Sequence, residues 1–358
     1  LVTNQPGGII TVVNAAETTN IDADITFGNS GQLNIGTGTL EISSIAFINV
    51  GGTINIDNGA TLGGDFINYD GPTLTNNGSI TASNFTMLGG PAQQINGSGS
   101  IANLTINNGS NVNLGSNHTV TSVLTLTNGN LVTGSNNLVM TDVSSVVGGN
   151  NSSHVNGNVQ RQFTNANPGS YLLPIGDGTR YTPLLLGPSI NIGGDGAVTA
   201  FTTANDHGDI LNSGIDGSKS VNRTWTIINN SLNFSECDVT FNYSAADVDG
   251  AATQSNFVLA KLDGATWTLP AGVVPGVNSL YVGNLTSFSE FQIGEPLVTT
   301  PAAALNFDGV NDQVVISNAG IDLTNKSFSV EMWLKRNSST GYDVAFSQGT
   351  AGVDNQLL

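Results

Sequence analysis

Few residues in this chain are equipped for chemistry, and they are widely spaced. Asp57, Asp65 and Asp70 stand close together in sequence, and two carboxylates at a suitable separation can hydrolyse a glycosidic bond. Each also has Gly or Asn beside it, the setting of an aspartate that forms a turn. Asp206-His207-Gly208-Asp209 and Asp247-Val248-Asp249-Gly250 place carboxylates at alternate positions, as calcium loops do. Neither run continues to the glutamate that closes an EF-hand, so ordinary turns are predicted. His118, His154 and His207 are far apart, without HExxH or Cys/His spacing around them. That pattern points to solvated loop histidines rather than metal ligands. No GxSxG sequence supplies a nucleophilic serine, and the glycine-rich segments lack the lysine of a phosphate loop.

Trp225, Trp267 and Trp333 are candidate platforms for sugar rings, because an aromatic face stacks on the C–H surface of a pyranose. Trp225 shares a strand face with Arg223 and Ile227, the pattern of a core residue. In Phe328-Ser329-Val330-Glu331-Met332-Trp333-Leu334-Lys335, the alternate residues Phe328, Val330, Met332 and Leu334 form one apolar face. Trp333 falls on the other face with Ser329, Glu331 and Lys335. It is either a ligand platform or a surface covered by a further strand.

The elements that must position these side chains are short β-strands. From Gly28 to Met140 a few alternating β-branched or Leu residues are followed by a Gly/Asn corner, as in Gln32-Leu33-Asn34-Ile35-Gly36 and Val123-Leu124-Thr125-Leu126-Thr127-Asn128-Gly129. Each apolar set is too short to bury itself, so the segments must stack on one another. Similar residues recur from Leu33 to Ile54, Ile80 to Ile101 and Leu104 to Leu124. That spacing of about 20 residues is the scale of one solenoid coil. The interval between Ile56 and Ile80 interrupts the spacing and predicts a longer corner. A right-handed parallel β-helix is therefore predicted over residues 1–153, with Leu, Ile and Val inside and Asn amides laddered between coils. Asn58-Gly59, Asn77-Gly78, Asn108-Gly109 and Asn128-Gly129 fit corners that need positive φ.

Charge sharpens the reading. Only 9% of residues are charged, against about a quarter in ordinary globular domains. The net charge of -18 opposes nucleic-acid phosphates and anionic lipid surfaces, so no nucleic-acid partner is expected. No Lys or Arg precedes Arg161. A polysaccharide lyase needs basic residues to remove a proton and to neutralise the adjacent carboxylate, so lyase chemistry is not expected in the solenoid. Cys237 is the only cysteine, which excludes an intrachain disulfide. No apolar run is long enough to span a bilayer. Leu1-Val2-Thr3-Asn4 carries no export signal, and the natural sequence is expected to continue past Leu358.

The texture changes at His154, where aromatics, prolines and basic residues begin to appear together. Val221–Ile227, Val239–Tyr243, Asn256–Lys261 and Phe288–Ile293 read as strands of alternating face. Residues 154–295 are predicted to form an antiparallel β-sandwich domain and residues 296–303 a linker. The order of a Gly/Asn-rich solenoid, then "VNGNVQRQF … YLLPIGDGTRYTPLLL", "RTWTI" and "SFSEFQIGE", resembles modules of large surface proteins exported by the type IX secretion system of gliding bacteria. In residues 304–358, "ALNFDGVNDQVVI" and "FSVEMWLK" resemble the opening strands of a laminin-G-like, concanavalin-A-like jelly roll. That second resemblance implies an incomplete domain that binds glycan or protein, in some members with calcium. Asp308, Asn311 and Asp312 would then be either calcium oxygens or turn formers, and Trp333 the ligand platform.

The expectation is thus a non-catalytic, extracellular, cell-surface protein. It comprises a solenoid stalk with binding domains for adhesion, surface structure or gliding motility. Expected partners are glycans or other surface proteins, with self-association through exposed strand edges. No cofactor is expected outside calcium in the C-terminal segment. Two other readings fit the same residues: accessory regions of a secreted polysaccharide-degrading enzyme, and a filament-forming structural subunit.

Overall fold

The computed structural model describes residues 2–298, apart from 24–26, 45, 46, 50 and 166–168. The chain divides into two compact units, residues 1–299 and 300–358. The segment resembling a laminin-G domain, with Asp308, Asn311, Asp312 and Trp333, lies outside the described residues. Strands make up 65% of the structure and helix 3%, which makes the chain all-β.

A parallel β-solenoid of about 7 turns opens the fold. Each strand stacks in register on its counterpart one coil away, and the registers define three separate faces. On the first, Leu33, Ile54, Leu74, Ile95 and Leu114 form an inward column. On the second, Leu40, Leu62, Ile80, Ile101, Val120 and Met140 do the same. On the third the column runs Ile67, Phe85, Leu104, Leu124 and Val146. The recurrences Leu33–Ile54, Ile80–Ile101 and Leu104–Leu124 are all true registers, one on each face. Between Ile56 and Ile80 the predicted long corner is instead three strands, Thr61–Gly64, Phe66–Tyr69 and Thr73–Asn76.

Within one face a strand buries only one or two side chains, as the alternation of Thr53–Ile56 shows, and a longer strand such as Gln32–Ser44 spans two faces. Stacking closes both the apolar face and the backbone hydrogen-bonding edges at once. Every column residue from Leu33 to Met140 named above except Leu114 is 0–1% exposed. Burying a side chain of that size stabilises by about 1.5–3 kcal/mol. The corners are held by neutral amides. Asn4 Nδ2 donates to Asn29 Oδ1 at 2.8 Å and Asn108 Nδ2 to Gln93 Oε1 at 2.9 Å, and along the strands Asn55 Nδ2 donates to Asn34 Oδ1 at 2.8 Å. At Gly129 (φ +75°) the backbone of the coil below is so close that a Cβ would meet Asn108 O at 1.7 Å, so only glycine fits.

Val155–Phe163 is where the solenoid hands over. On one side it pairs parallel with Leu131–Met140, and its Val159–Phe163 portion pairs antiparallel with Gly196–Ala204 on the other. The second face of the solenoid therefore runs on, without interruption, into an antiparallel sheet. That sheet continues through Ile215–Asn230, Glu290–Pro296, Val258–Asp263 and Thr266–Thr268. A second antiparallel sheet contains Tyr171–Leu173, Leu184–Gly194, Asn233–Asn242, Ser279–Leu285 and Val273–Gly276. Aromatic side chains join the two: Trp225 meets Phe241 edge-on at 5.5 Å, and Phe241 meets Phe291 at 5.1 Å. Arg161 continues the solenoid's second column directly above Met140. Its guanidinium caps the column by donating to Ser144 Oγ and Ser144 O and lying 4.5 Å from the Tyr171 ring centroid.

Candidate functional site

Three of the described ion pairs meet at the seam where the solenoid ends. Strand Ile175–Gly176 stacks on Val155–Asn156 as the last piece of the first face. Asp177 begins the turn that follows, and its Oδ1 accepts from the Thr179 and Arg180 amides and the Thr179 hydroxyl. Its Oδ2 accepts from Arg223 Nη2 at 2.8 Å. Arg223 is completely buried, and it also donates through Nε to Asp247 Oδ2 at 3.0 Å and through Nη1 to Thr202 Oγ1 at 3.2 Å. Arg180 approaches Asp247 from outside at 3.9 Å. One guanidinium thus ties the terminal solenoid turn to the antiparallel sheet and to the Asp247 turn. Burial alone would raise the Asp177 carboxyl, but Arg223 and the three turn hydrogens outweigh it and hold the group well below the usual carboxylate range.

His154 lies under the same turn and is 0% exposed. Its Nε2 accepts from the Gly178 amide, so Nδ1 carries the proton and donates to Asn150 O. Burial lowers its pKa. His118 is 1% exposed inside the solenoid, accepting from Asn76 Nδ2 and donating to Gly97 O, and burial lowers it to about 4. The prediction of solvated loop histidines fails for both. The solenoid corners use neutral imidazole as one more uncharged donor–acceptor pair.

The two aspartate-rich turns that sequence treated separately come together. Ser220 Oγ lies 2.6 Å from Asp206 Oδ1 and 3.3 Å from Asp249 Oδ2, and Gln292 Nε2 also donates to Asp206. Burial and the neighbouring Asp249 raise the Asp206 carboxyl. Ser220 is itself fully buried, so its hydroxyl braces the turns and is not presented to a substrate. No group of three or more His, Cys, Asp or Glu side chains positioned for a metal occurs among the described residues. Further along, His207 bonds Glu290 at 2.6 Å and packs edge-on against Trp267, whose indole donates to Asp209 at 2.9 Å.

Asp57, Asp65 and Asp70 are not brought together. They occupy three different corners of one coil, following Thr53–Ile56, Thr61–Gly64 and Phe66–Tyr69 respectively. Asp70 accepts from the Gly51 amide, as a corner residue should. Trp225 is 0% exposed, as its strand face implied. Cys237 is buried, and its thiol is pushed up to about 12, which removes it as a nucleophile.

Two residues escaped sequence reasoning. The Arg223 pairings join segments far apart in the chain and leave no local signal. Lys261 did leave one, because it shares its strand parity with the buried Leu259 and is 6% exposed. A polar groove of about 320 Å³ also runs along the solenoid, lined by Thr61, Ser79, Ser100 and Thr119 of successive coils. No family model, no curated protein and no solved structure matches the chain. No helix among the described residues is long and apolar enough to cross a membrane.

Proposed function

We propose that the chain belongs to a non-catalytic, extracellular surface protein in which the parallel solenoid is a stalk and the two antiparallel sheets form a β-sandwich carried on it. The observation that supports this most is the shared strand Val155–Phe163, which continues the solenoid's second face into the antiparallel sheet. A continuous sheet transmits load through backbone hydrogen bonds, where a flexible linker would not. The seam reinforces this reading, since its charged groups are engaged in holding the junction. The polar residues here are spent on structure: Ser220 is buried and Cys237 is an unreactive thiol.

The resemblance to type IX secretion surface proteins and the laminin-G-like start of residues 304–358 extend the proposal. The partner is a glycan or another surface protein, with Trp333 as ligand platform and Asp308, Asn311 and Asp312 as calcium oxygens. Labelling of intact cells with an antibody to residues 61–140 tests the location. The proposal expects labelling without permeabilisation, and weaker attachment to glycan-coated glass when the gene is deleted. Labelling only after permeabilisation would overturn it.

A further inference from the structure

A cavity of about 460 Å³ opens between the Val258–Asp263/Thr266–Thr268 hairpin of one antiparallel sheet and the Val273–Gly276/Ser279–Leu285 hairpin of the other. Its volume is in the range of small-ligand sites. At its wall stands Lys261, whose side chain is 7% exposed. The ammonium donates to Asp263 Oδ2 at 2.7 Å and to Ser287 Oγ. A lysine ammonium has three donors, and the third finds no acceptor among the described residues. Asp263 is the opposite case: its side chain is 47% exposed, and only Oδ2 is engaged, by Lys261. Beside them Asn284, at φ +59°, donates its backbone N–H to Asp238 Oδ1 and lines the same cavity. Pro270 adds apolar surface to the wall.

We propose that this cavity is a saccharide subsite that takes an uncharged sugar through a pair of adjacent hydroxyls. One hydroxyl donates to the free Asp263 oxygen and its neighbour accepts from the third Lys261 hydrogen. Both are charge-assisted bonds, the stronger kind. Asn284 supplies a further amide, and the C–H face of the ring rests on Pro270. An anionic ligand fits less well. Asp263 already matches the Lys261 charge, and the chain carries a net charge of -18, which repels anions. The subsite rests on the glycan-binding part of the proposed function and gives it residues of its own in the antiparallel sheets.

Affinity electrophoresis of the whole chain through gels containing dextran, laminarin, xyloglucan or polygalacturonate tests it. The expected result is retardation by at least one of the three neutral polysaccharides, unchanged at high salt. Lys261→Met, which keeps the buried stem, and Asp263→Asn, on an exposed carboxylate, should each weaken it about tenfold. Asn284→Ala should weaken it less. Unaltered tryptophan fluorescence checks that each variant is folded, and Asp263→Asn decides the matter if Lys261→Met is not. Retardation by none of the four gels overturns the subsite, as does retardation by polygalacturonate alone that salt abolishes. Retardation by a neutral polysaccharide that survives Asp263→Asn and a folded Lys261→Met also overturns it, while leaving glycan binding to another part of the chain. Intact-cell labelling is unaffected by these variants, so failure of the subsite and failure of the surface location are separate results.

Discussion

The solenoid and the antiparallel sheets solve the same problem, satisfying buried polar groups, with different chemistry. In the solenoid the contacts are amide to amide, amide to carbonyl and amide to neutral imidazole, as in Asn4–Asn29, Gln93–Tyr69 and Asn76–His118. In the antiparallel part the ion pairs Arg223–Asp177, Arg223–Asp247 and Lys261–Asp263 take over. Repetition explains the difference. A solenoid stacks like on like at the strand spacing of about 4.8 Å, and like charges at that separation repel. An amide or hydroxyl both donates and accepts, so it can stack on its own copy. A non-repeating sheet has no such constraint and can set opposite charges side by side. Stacking thus keeps charge sparse in the solenoid, which before Arg161 holds eight Asp and Glu and no Lys or Arg.

The comparison is broken most directly at Arg223. Arg223→Ala leaves the largely buried Asp177 without its cation and Asp247 with only Arg180 at 3.9 Å, and removing one member of a buried pair costs about 3–5 kcal/mol. Urea denaturation followed by tryptophan fluorescence measures this, since Trp225 and Trp267 both lie in the antiparallel part. A loss below about 1 kcal/mol would show that the pairs contribute no more than a surface contact.

The solenoid's counterpart is acid sensitivity without ion pairs. Folding lowers the His118 pKa from 6.5 to about 4. Between those values the unfolded chain binds a proton that the folded chain excludes, so stability falls as pH falls through this window, by about 3 kcal/mol in all. His154 shifts in the same direction for the same reason, burial. Asp177 acts in a separate window. Its folded pKa is depressed, so its contribution is present above its unfolded value near 3.8 and is lost only as pH falls below it. Urea midpoints by far-UV circular dichroism at pH 7 and pH 5 should differ less in His118→Gln than in the parent chain. Equal differences in the two would exclude His118 as the source.

How much of this was legible in the sequence follows the same division. The solenoid could be read because each coil repeats its neighbour, and Leu33–Ile54, Ile80–Ile101 and Leu104–Leu124 are registers that local pattern alone reveals. The number of faces was not legible. A strand such as Ser79–Ile80 has only two residues, too few to show a period, and the coil between Ile56 and Ile80 therefore reads in sequence as a corner. Buried histidines were missed because burial of a polar residue depends on partners in other coils, such as Asn76 for His118. The antiparallel part announced its strands, but not the joining of Asp206 and Asp249 through Ser220, since nothing local couples turns that distant.

The finest test separates buried from exposed charge within the antiparallel part itself. Lys219 pairs with Glu295 at 3.6 Å, but its side chain is 39% exposed, so water screens the attraction and the flexible stem loses entropy when fixed. Lys219→Ala should therefore change stability by no more than about 1 kcal/mol, and high salt should erase that difference. The contrast with Arg223 isolates burial as the variable, because both residues lie on the strand Ile215–Asn230 and both meet carboxylates. Urea midpoints by tryptophan fluorescence, at low and high salt, read it directly. A Lys219→Ala loss as large as that of Arg223→Ala would mean that position on the strand, rather than burial of the pair, sets what a charge contributes here.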